Sequence, residues 1–236
     1  EAKTFYSTLS SDSLRAIYAE GRRDAHFEYV RVMPDGSERW VKTDIKLIVD
    51  PSNAHLCAMF LVSDINDRRE REKKLIYAAE RDMMTGLLNR ATTLQRIKSY
   101  LARRNSGVCS MYIIDIDNFK SLNDTYGHQT GDKFIEDFAQ LLKHCFRDND
   151  IVGRLGGDEF IVLIDGVGDA LMLKRRADAV LRRVLGLCEK YGELELSASI
   201  GGCIYKEGMD FEQLYARADD ALYEAKANGK SSFVLK

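Results

Sequence analysis

The sequence predicts an α+β protein whose main domain has a central sheet flanked by helices. Three observations predict this class. From Asp82 onward, apolar runs typical of strands alternate with amphipathic helical patterns. Before them, three short strand patterns are separated by turn residues, as in an antiparallel meander. Between the two parts, residues 66–81 are rich in helix formers and contain neither Gly nor Pro. We therefore expect a small segment at 1–65, a linker helix at 66–81 and a full domain at 82–236.

Composition restricts the class of function. The chain has 236 residues, of which 45% are hydrophobic, and 35 basic and 37 acidic residues give a net charge of -2. This balance gives no reason to expect a nucleic acid polymer as a partner. The longest apolar runs are too short to cross a bilayer, so no membrane segment is predicted. Five widely spaced cysteines are typical of reduced core residues in a cytoplasmic protein. The first residue is Glu1, which is typical of a fragment whose full-length parent could carry a membrane anchor.

The N-terminal segment is predicted to form one helix and three strands. Ser11 or Asp12 is placed to cap the start of the helix, and Leu14, Ile17 and Tyr18 share one face. The strands are expected at 27–33, 39–49 and 56–64.

The linker helix has apolar residues near a seven-residue spacing, namely Ile65, Ile76, Ala79 and Met83. Glu72 interrupts this seam, so the pattern leaves two alternatives open, a coiled coil and a solvated single helix.

The domain from Asp82 is predicted to contain four helices and four strands. Asp210 with Gln213 fits a capping box at the start of the last helix, and Gly229 lies where that helix should stop. The helices are expected around 94–101 and 134–145 and at 170–187 and 210–228, and the strands at 108–116, 151–155, 160–164 and 194–205.

Carboxylates and glycines mark the candidate site. Gly156 and Gly157 allow positive φ angles and leave room for an anion near the backbone, and Asp158 and Glu159 follow them directly. Asp115 ends a buried strand, where a carboxylate is unfavourable without a partner. If that strand neighbours the hairpin, three like charges meet, and a divalent cation would relieve their repulsion. Oxygen ligands that leave positions free for phosphates favour magnesium. Adjacent residues of an extended chain point to opposite faces, so we expect one acid of the turn to bind directly.

Several ordered motifs now support a resemblance to a known family. Residues 156–160 read Gly-Gly-Asp-Glu-Phe, and further matching blocks lie at 82–90, 115–124, 126–132, 197–201 and 218–226, with Met84 where Leu is usual. Residues 82–236 thus resemble a GGDEF-family diguanylate cyclase domain. The resemblance implies a palm-like fold with a mostly antiparallel sheet, and a homodimer that joins two GTP molecules into cyclic di-GMP with release of two pyrophosphates.

The resemblance also implies roles for individual residues. Metal ligands (Mg²⁺, with Mn²⁺ as an alternative) would be Asp115, the Ile116 carbonyl, Asp158 and Glu159. Glu159 could instead help to remove the 3′-OH proton, and Lys120 would stabilise the transferring phosphoryl group. The implied substrate contacts are Asn123 and Asp132 at guanine, with Phe119 and His128 nearby, and Gly156, Gly157, Lys226 and Lys230 at the phosphates.

Simpler roles remain for some of these residues. Asp132 could cap a helix, Asn123 could be a turn residue, His128 could be structural, and Lys226 suits a helix C-terminus. The family commonly has Arg where this chain has Lys230, and Asn-Arg where it has Ser-Ser at 231–232. This difference predicts weaker bidentate contact with phosphate.

Arg147 and Asp150 form an Arg-x-x-Asp pattern shortly before the glycines, where the family has an inhibitory product site. Arginine can donate two bonds to guanine O6 and N7, and Asp150 can accept from the opposite edge. An exposed ion pair between helix and strand is the alternative. Two rival functions remain, a catalytically silent domain that acts as a GTP or cyclic di-GMP receptor and a cyclase that also accepts ATP. The presence of Asp132 argues against ATP.

The N-terminal segment resembles the C-terminal half of a PAS sensory domain, through residues 27–29, 35–36, 39–41 and 63–68. The resemblance implies sensory regulation of the cyclase. Most of the ligand pocket would belong to a half that is missing or cut short. Trp40 is predicted either to line such a pocket or to be a buried structural residue.

Overall fold

The computed structural model describes residues 10–103, 108–191 and 195–236. The chain forms two compact units, Glu1–Tyr77 and Ala78–Lys236. Within the described ranges, no helix has both the length and the apolar character needed to span a membrane.

The N-terminal unit is a three-stranded sheet with a helix on one face. Helix α1 (Ser11–Ala19) precedes β1 (Asp24–Val32), β2 (Glu38–Val49) and β3 (Leu56–Asp64), which pair antiparallel in the order β1-β2-β3. Leu14 of α1 packs against Ala25, Ile45 and Leu47, which share one face because side chains alternate along a strand.

The start of α1 differs from the prediction by one residue. Ser10 is the N-cap, and its hydroxyl oxygen accepts the Ser13 N–H at 3.2 Å. The predicted caps Ser11 and Asp12 instead lie inside the helix, so that prediction was wrong.

Helix α2 (Asn66–Glu80) occupies the predicted linker, and all its residues retain solvent exposure. Met83, one of the four residues of the predicted seam, lies beyond the end of this helix. Trp40 is half-buried, and the Arg69 guanidinium lies 4.8 Å from its ring centroid, so an α2 side chain covers the ring. The coiled coil and the PAS-like assignment stay predictions.

The C-terminal unit has the predicted mixed architecture. Its strands are β4 (Cys109–Asp117), β5 (Ile151–Gly156), β6 (Glu159–Asp165), β7 (Ser197–Ile204) and β8 (Phe233–Leu235). They form one sheet in the order β5-β6-β4-β7-β8, antiparallel throughout except for the parallel β7–β8 pair. The flanking helices are α3 (Arg90–Ala102), α4 (Phe119–Tyr126), α5 (His128–Cys145), α6 (Ala170–Cys188) and α7 (Phe211–Ala227). The predicted central, mostly antiparallel sheet is therefore confirmed.

Strand β4 is buried along its whole length because helices cover both faces of the sheet. Ile114 and Ile116 belong to a core with the aromatic residues of α5, whereas Met111 and Ile113 pack with α3 and α7. Odd-numbered residues of β4 thus face α7, and Asp115 and Asp117 continue that face to the end of the strand.

Most predicted boundaries lie within three residues of the observed ones, but α5 begins at His128, six residues before its predicted start, and helix α4 and strand β8 were not predicted. The capping box of Asp210 and Gln213 is present at α7, and Gly229 follows the helix with a φ of 104°. The strand predicted from 194 begins at Ser197, and residue 194 lies outside the described residues.

Candidate active site

The end of β4 and the acidic turn are neighbours in the sheet. Asp115 pairs in register with Glu159 on β6, and the Ile116 N–H donates to the Asp158 carbonyl at 3.3 Å. The sequence predicted that these acids meet only if the two strands are neighbours in the sheet. The strands are neighbours, and their register places the three acidic residues at one edge of the sheet.

Both glycines of the turn have positive φ angles, 145° for Gly156 and 52° for Gly157. Among the described residues, no atom lies within 4 Å of the position that a Cβ would take at either glycine. The backbone conformation therefore requires glycine here, and the space beside the turn is open to an anion.

Asp115 is a buried acid with a cationic partner. Its side chain is 9% exposed, and Oδ1 lies 2.8 Å from Nζ of Lys226. Burial raises the pKa of Asp115 to about 6 against the opposing hydrogen bond from Lys226, and Asp158 and Glu159 add to the increase. The ionised form of Asp115 is therefore disfavoured by burial and by the neighbouring acids, and a nearby cation would favour it.

The predicted metal ligands do not form a closed cage in this structure. Among the described residues, no group of three or more His, Cys, Asp or Glu side chains is placed to hold a metal ion. The donor chemistry nevertheless fits a hard divalent cation, because carboxylate oxygens from Asp115 and the adjacent turn share one edge. Lys226 partly balances the charge of Asp115. The cation itself remains a proposal.

Helices α4 and α5 bring the predicted guanine contacts together. A Cβ at Gly131 would lie 1.9 Å from Oδ1 of Asn123. The Asn123 amide therefore occupies space that is free only because residue 131 has no side chain. Asp132 is the next residue and is exposed. The N-cap of α5 is Gly127, and Asp132 is the fifth helical residue, so capping does not explain Asp132.

Three further predicted contacts lie on the same helices. Phe119 and Lys120 begin α4, with Phe119 half-buried and Lys120 exposed. His128 is the first residue of α5 and is exposed. The structure therefore places these residues near the helix ends that follow β4.

The two predicted phosphate lysines reach the end of β4 from α7 and the segment after it. Lys226 pairs with Asp115, and Nζ of Lys230 donates to Oδ1 of Asn118 at 2.7 Å. Lys226 lies in the last turn of α7, where a cation suits the helix dipole. It also forms the ion pair with Asp115.

Asp150, predicted either to accept from a guanine edge or to form an exposed ion pair, is buried. Its carboxylate accepts the Arg147 N–H and the Asp165 N–H, both at 3.0 Å, and lies 3.7 Å from Nη1 of Arg176. The alternative of an exposed Arg147–Asp150 ion pair is therefore wrong, because Arg147 contributes its backbone N–H. A surface cavity of about 1060 Å³ is lined by both residues and by Arg96.

Sequence reasoning missed Arg154, which anchors the turn. Its guanidinium donates to the Gly157 carbonyl at 2.8 and 3.1 Å and to the Asp82 carboxylate at 3.1 Å. Burial alone would raise the pKa of Asp82, but hydrogen bonds from Thr85 and the Arg154 pair hold it below its usual value. Two features of the sequence could have indicated this pair. Arg154 lies two residues before Gly156, and Asp82 is the first residue of the family motif at 82–90.

Asp117 was also missed as a functional candidate. It is buried at 2% exposure and accepts hydrogen bonds from Ser197 and Ser199 of β7 and from the Ser231 backbone. The visible signal was a second acid in an otherwise apolar strand.

These features define a class of protein with a glycine-acid turn beside a buried aspartate and basic residues. Residues 79–232 match the family described as diguanylate cyclase, GGDEF domain. The chain belongs to the GGDEF family.

Two curated relatives are diguanylate cyclases. DgcS of Shewanella oneidensis is 37% identical over 158 residues, which are 65% of this chain and 52% of DgcS. DgcM of Escherichia coli strain K12 is 34% identical over 212 residues, which are 86% of this chain and 49% of DgcM. The chain thus spans about half the length of these relatives.

A solved structure and a third relative extend the comparison. The structure of a microbial GGDEF domain interacting with cyclic di-GMP is 30% identical, with a TM-score of 0.60, over 69% of this chain and 99% of that domain. PdeR of E. coli K12, a cyclic di-GMP phosphodiesterase, is 32% identical over 73% of this chain and 26% of PdeR. Similar chains therefore occur in proteins with different named activities.

Proposed function

We propose that the chain is the catalytic part of a diguanylate cyclase, which condenses two GTP molecules into cyclic di-GMP with release of two pyrophosphates. The observation that carries this proposal is the register that sets Asp115 opposite Glu159, beside an intact Gly-Gly turn and Lys226. Acids, an open glycine turn and cationic side chains together suit phosphoryl transfer from a nucleotide.

The proposed chemistry requires two half-sites, each on one subunit of a homodimer. Asn123 and Asp132 hold guanine, and the Asp132 carboxylate accepts from the N1–H and N2–H₂ donors that adenine lacks. Phe119 and His128 lie on the same pair of helices. Each bound GTP then presents its 3′-OH to the α-phosphorus held by the other subunit.

The residues of the turn and the lysines act on the reacting groups. Glu159 takes part in removing the 3′-OH proton, as the new P–O bond forms and pyrophosphate leaves. Backbone N–H groups at Gly156 and Gly157 and the Lys120 ammonium stabilise the negative charge on the phosphate oxygens. Lys226 and Lys230 bind the β- and γ-phosphates.

A divalent cation completes the proposed half-site. Asp115, the Ile116 carbonyl and Asp158 would hold Mg²⁺ or Mn²⁺, with Glu159 as a further ligand when it does not accept the 3′-OH proton. When bound, the cation supplies Lewis acidity, which lowers the pKa of the 3′-OH and offsets phosphate charge.

Mass spectrometry of products formed from GTP or ATP with Mg²⁺ tests the activity. We expect cyclic di-GMP from GTP and no cyclic product from ATP. Asp158→Ala should abolish synthesis while GTP binding is only partly reduced. An intact dimer that binds GTP but forms no cyclic dinucleotide would contradict the cyclase and support the silent receptor, which the similarity to a phosphodiesterase makes the second candidate.

Product feedback is proposed at the cavity beside Arg147 and Asp150. Arg147 can donate to guanine O6 and N7, and the buried Asp150 carboxylate holds the Arg147 backbone in place. Arg147→Ala should leave turnover unchanged at low product and weaken inhibition by added cyclic di-GMP. Unchanged inhibition would contradict this site. Sensory regulation by the PAS-like segment is likewise a proposal.

A further inference from the structure

A buried carboxylate at the end of β4 has no role in the mechanism above. Asp117 is 2% exposed, and it accepts the hydroxyls of Ser197 at 2.6 Å and Ser199 at 2.8 Å and the Ser231 N–H at 3.1 Å. A buried carboxylate requires such donors to offset its lost hydration. The three donors join β4 to β7 and to the segment that follows α7.

That segment has an unusual backbone. Lys230 and Ser231 have φ angles of 65° and 46°, in the left-handed region that residues with a Cβ rarely adopt. Such a conformation persists only where surrounding contacts fix it. The Lys230 N–H donates to the Ala225 carbonyl at 3.2 Å, and the Ser231 N–H donates to Asp117 at 3.1 Å. Asp117 is thus one of the contacts that hold the segment.

The end of β4 holds both lysines and the backbone that directly follows Lys230. Asp115 pairs with the Lys226 ammonium at 2.8 Å, and Asn118 accepts from the Lys230 ammonium at 2.7 Å. Asp117 lies between these two residues and binds the backbone directly after Lys230. Release of that backbone would leave the Lys230 side chain attached to a segment free to change conformation.

We propose that Asp117 is a positioning residue for triphosphate binding. By accepting the Ser231 N–H, it holds Lys230 where the ammonium meets the β- and γ-phosphates. This inference rests on the proposed function. It requires an acceptor at residue 117 rather than a negative charge. Asparagine keeps one oxygen for the Ser231 N–H and can donate its amide to the serine hydroxyls, whereas alanine does neither.

Calorimetry with two ligands separates positioning from general stability. The ligands are α,β-methylene GTP with Mg²⁺, which carries a full triphosphate, and GMP, which lacks the β- and γ-phosphates. Asp117→Ala should weaken binding of the GTP analogue about tenfold, the scale of one lost hydrogen bond to a charged group, and change GMP affinity by less than about twofold. Asp117→Asn should retain both affinities. In steady state, Asp117→Ala should raise KM for GTP more than it lowers kcat.

Lys230→Ala provides the matched variant. It should show the same selective loss, and Asp117→Ala combined with Lys230→Ala should bind the GTP analogue no more weakly than Lys230→Ala alone. Equal weakening of both ligands, unchanged affinity for the GTP analogue, or additive losses in the double variant would overturn the inference.

Two remaining outcomes are also decisive. If Asp117→Ala is recovered unfolded, the double variant Ser197→Ala/Ser199→Ala replaces it, because it removes two of the three donors that orient the carboxylate. The same selective loss is expected, and unchanged affinity for the GTP analogue overturns the inference. If the unmodified chain fails to bind the GTP analogue, the proposed function fails first. If the unmodified chain binds the GTP analogue and Asp117→Ala binds it with the same affinity, the inference alone fails.

Discussion

At the scale of single residues, the Gly-Gly-Asp-Glu turn is held by a side chain outside the Gly-Gly-Asp-Glu-Phe motif. Arg154 donates twice to the Gly157 carbonyl and also reaches Asp82. Gly157 directly precedes Asp158, so this contact fixes the peptide from which the first acid projects. A planar guanidinium can bind both partners at once, whereas a lysine ammonium has no such fork.

Arg154→Lys is therefore expected to lower the rate of cyclic di-GMP synthesis more than it lowers nucleotide affinity. We expect kcat to fall about tenfold, equivalent to about 1.4 kcal/mol of lost transition-state stabilisation. Affinity for α,β-methylene GTP should change by less than about threefold on the same free-energy scale. Steady-state kinetics and calorimetry measure the two quantities. Lys174→Ala, which removes an exposed ion pair with Asp178 on α6, is the control. An unchanged kcat in Arg154→Lys would disprove the anchoring role.

Gly131 determines where the side chain of Asn123 lies. A Cβ at Gly131 would meet Oδ1 of Asn123 at 1.9 Å, and that amide can rotate away. Gly131→Ala should therefore leave the fold intact, displace Asn123 and weaken the preference for GTP over ATP. Competition binding with both nucleotides measures the preference. Asn123→Ala should cause a similar loss, and the double variant should add little to it. Full additivity would show that the two residues act separately.

The residues that sequence reasoning missed share a physical cause. Asp82 and Arg154 are 72 positions apart, and Asp117 and Ser231 are 114 apart. A periodic pattern reports which face a residue occupies, but pairs at such separation depend on strand order and register. Asp115 was accessible to sequence reasoning because a carboxylate in an apolar strand is unfavourable without a partner. Asp158 and Glu159 were accessible because they directly follow two glycines that leave room for an anion.

At the scale of secondary structure, the approach of α7 to the sheet depends on one glycine. A Cβ at Gly201 would lie 2.1 Å from the Leu222 nitrogen and 2.2 Å from the Ala218 carbonyl oxygen. Both atoms belong to the α7 backbone and cannot rotate away. Close packing of α7 on β7 is what lets Lys226 reach Asp115 across the same face.

Gly201→Ala should push α7 away from the sheet and so affect both stability and substrate binding. Overpacking of this kind lowers the free energy of unfolding by about 1 to 3 kcal/mol.

Gly186→Ala is the matched control. Gly186 lies in α6, where no described atom is within 4 Å of the added Cβ. There the exchange should raise the free energy of unfolding by about 0.5 to 1 kcal/mol. Urea denaturation measures both variants, and equal stabilities would contradict the packing argument.

The elements themselves were largely predictable because their signals are local. The capping box at α7 depends on residues three apart, and the amphipathic faces of α3 and α5 repeat within single helices. The sheet order was not predictable in this way. Strand β4 lies between β6 and β7, which are distant in sequence, and this placement brings the turn to Asp115.

At the scale of the whole molecule, each unit has its own hydrophobic core. The proposed reaction requires a further level of organisation, since one C-terminal unit supplies a single set of guanine, phosphate and acidic residues. Two bonds must form between two GTP molecules. Under the proposed function, two copies therefore face each other, each binding one nucleotide and each activating one 3′-OH.

Subunit mixing tests this arrangement. Asp158→Ala should still bind GTP in part but should not activate its own 3′-OH. With random exchange in an equimolar mixture, half of the unmodified subunits pair with the variant, so cyclic di-GMP formed per unmodified subunit should fall to about half. Mixed dimers can form only one of the two bonds, so mass spectrometry should detect the linear dinucleotide pppGpG.

Dilution supplies the control for the mixing experiment. Specific activity of the unmodified chain should fall once its concentration drops below the dissociation constant of the dimer, because separated subunits hold only half-sites. Lys174→Ala subunits are expected to be active, so mixing them in the same ratio should leave activity per total subunit equal to that of undiluted dimers and produce no excess of pppGpG. If Asp158→Ala subunits leave activity per unmodified subunit unchanged although exchange is demonstrated, a single subunit must contain the whole site. The two-subunit mechanism would then be wrong.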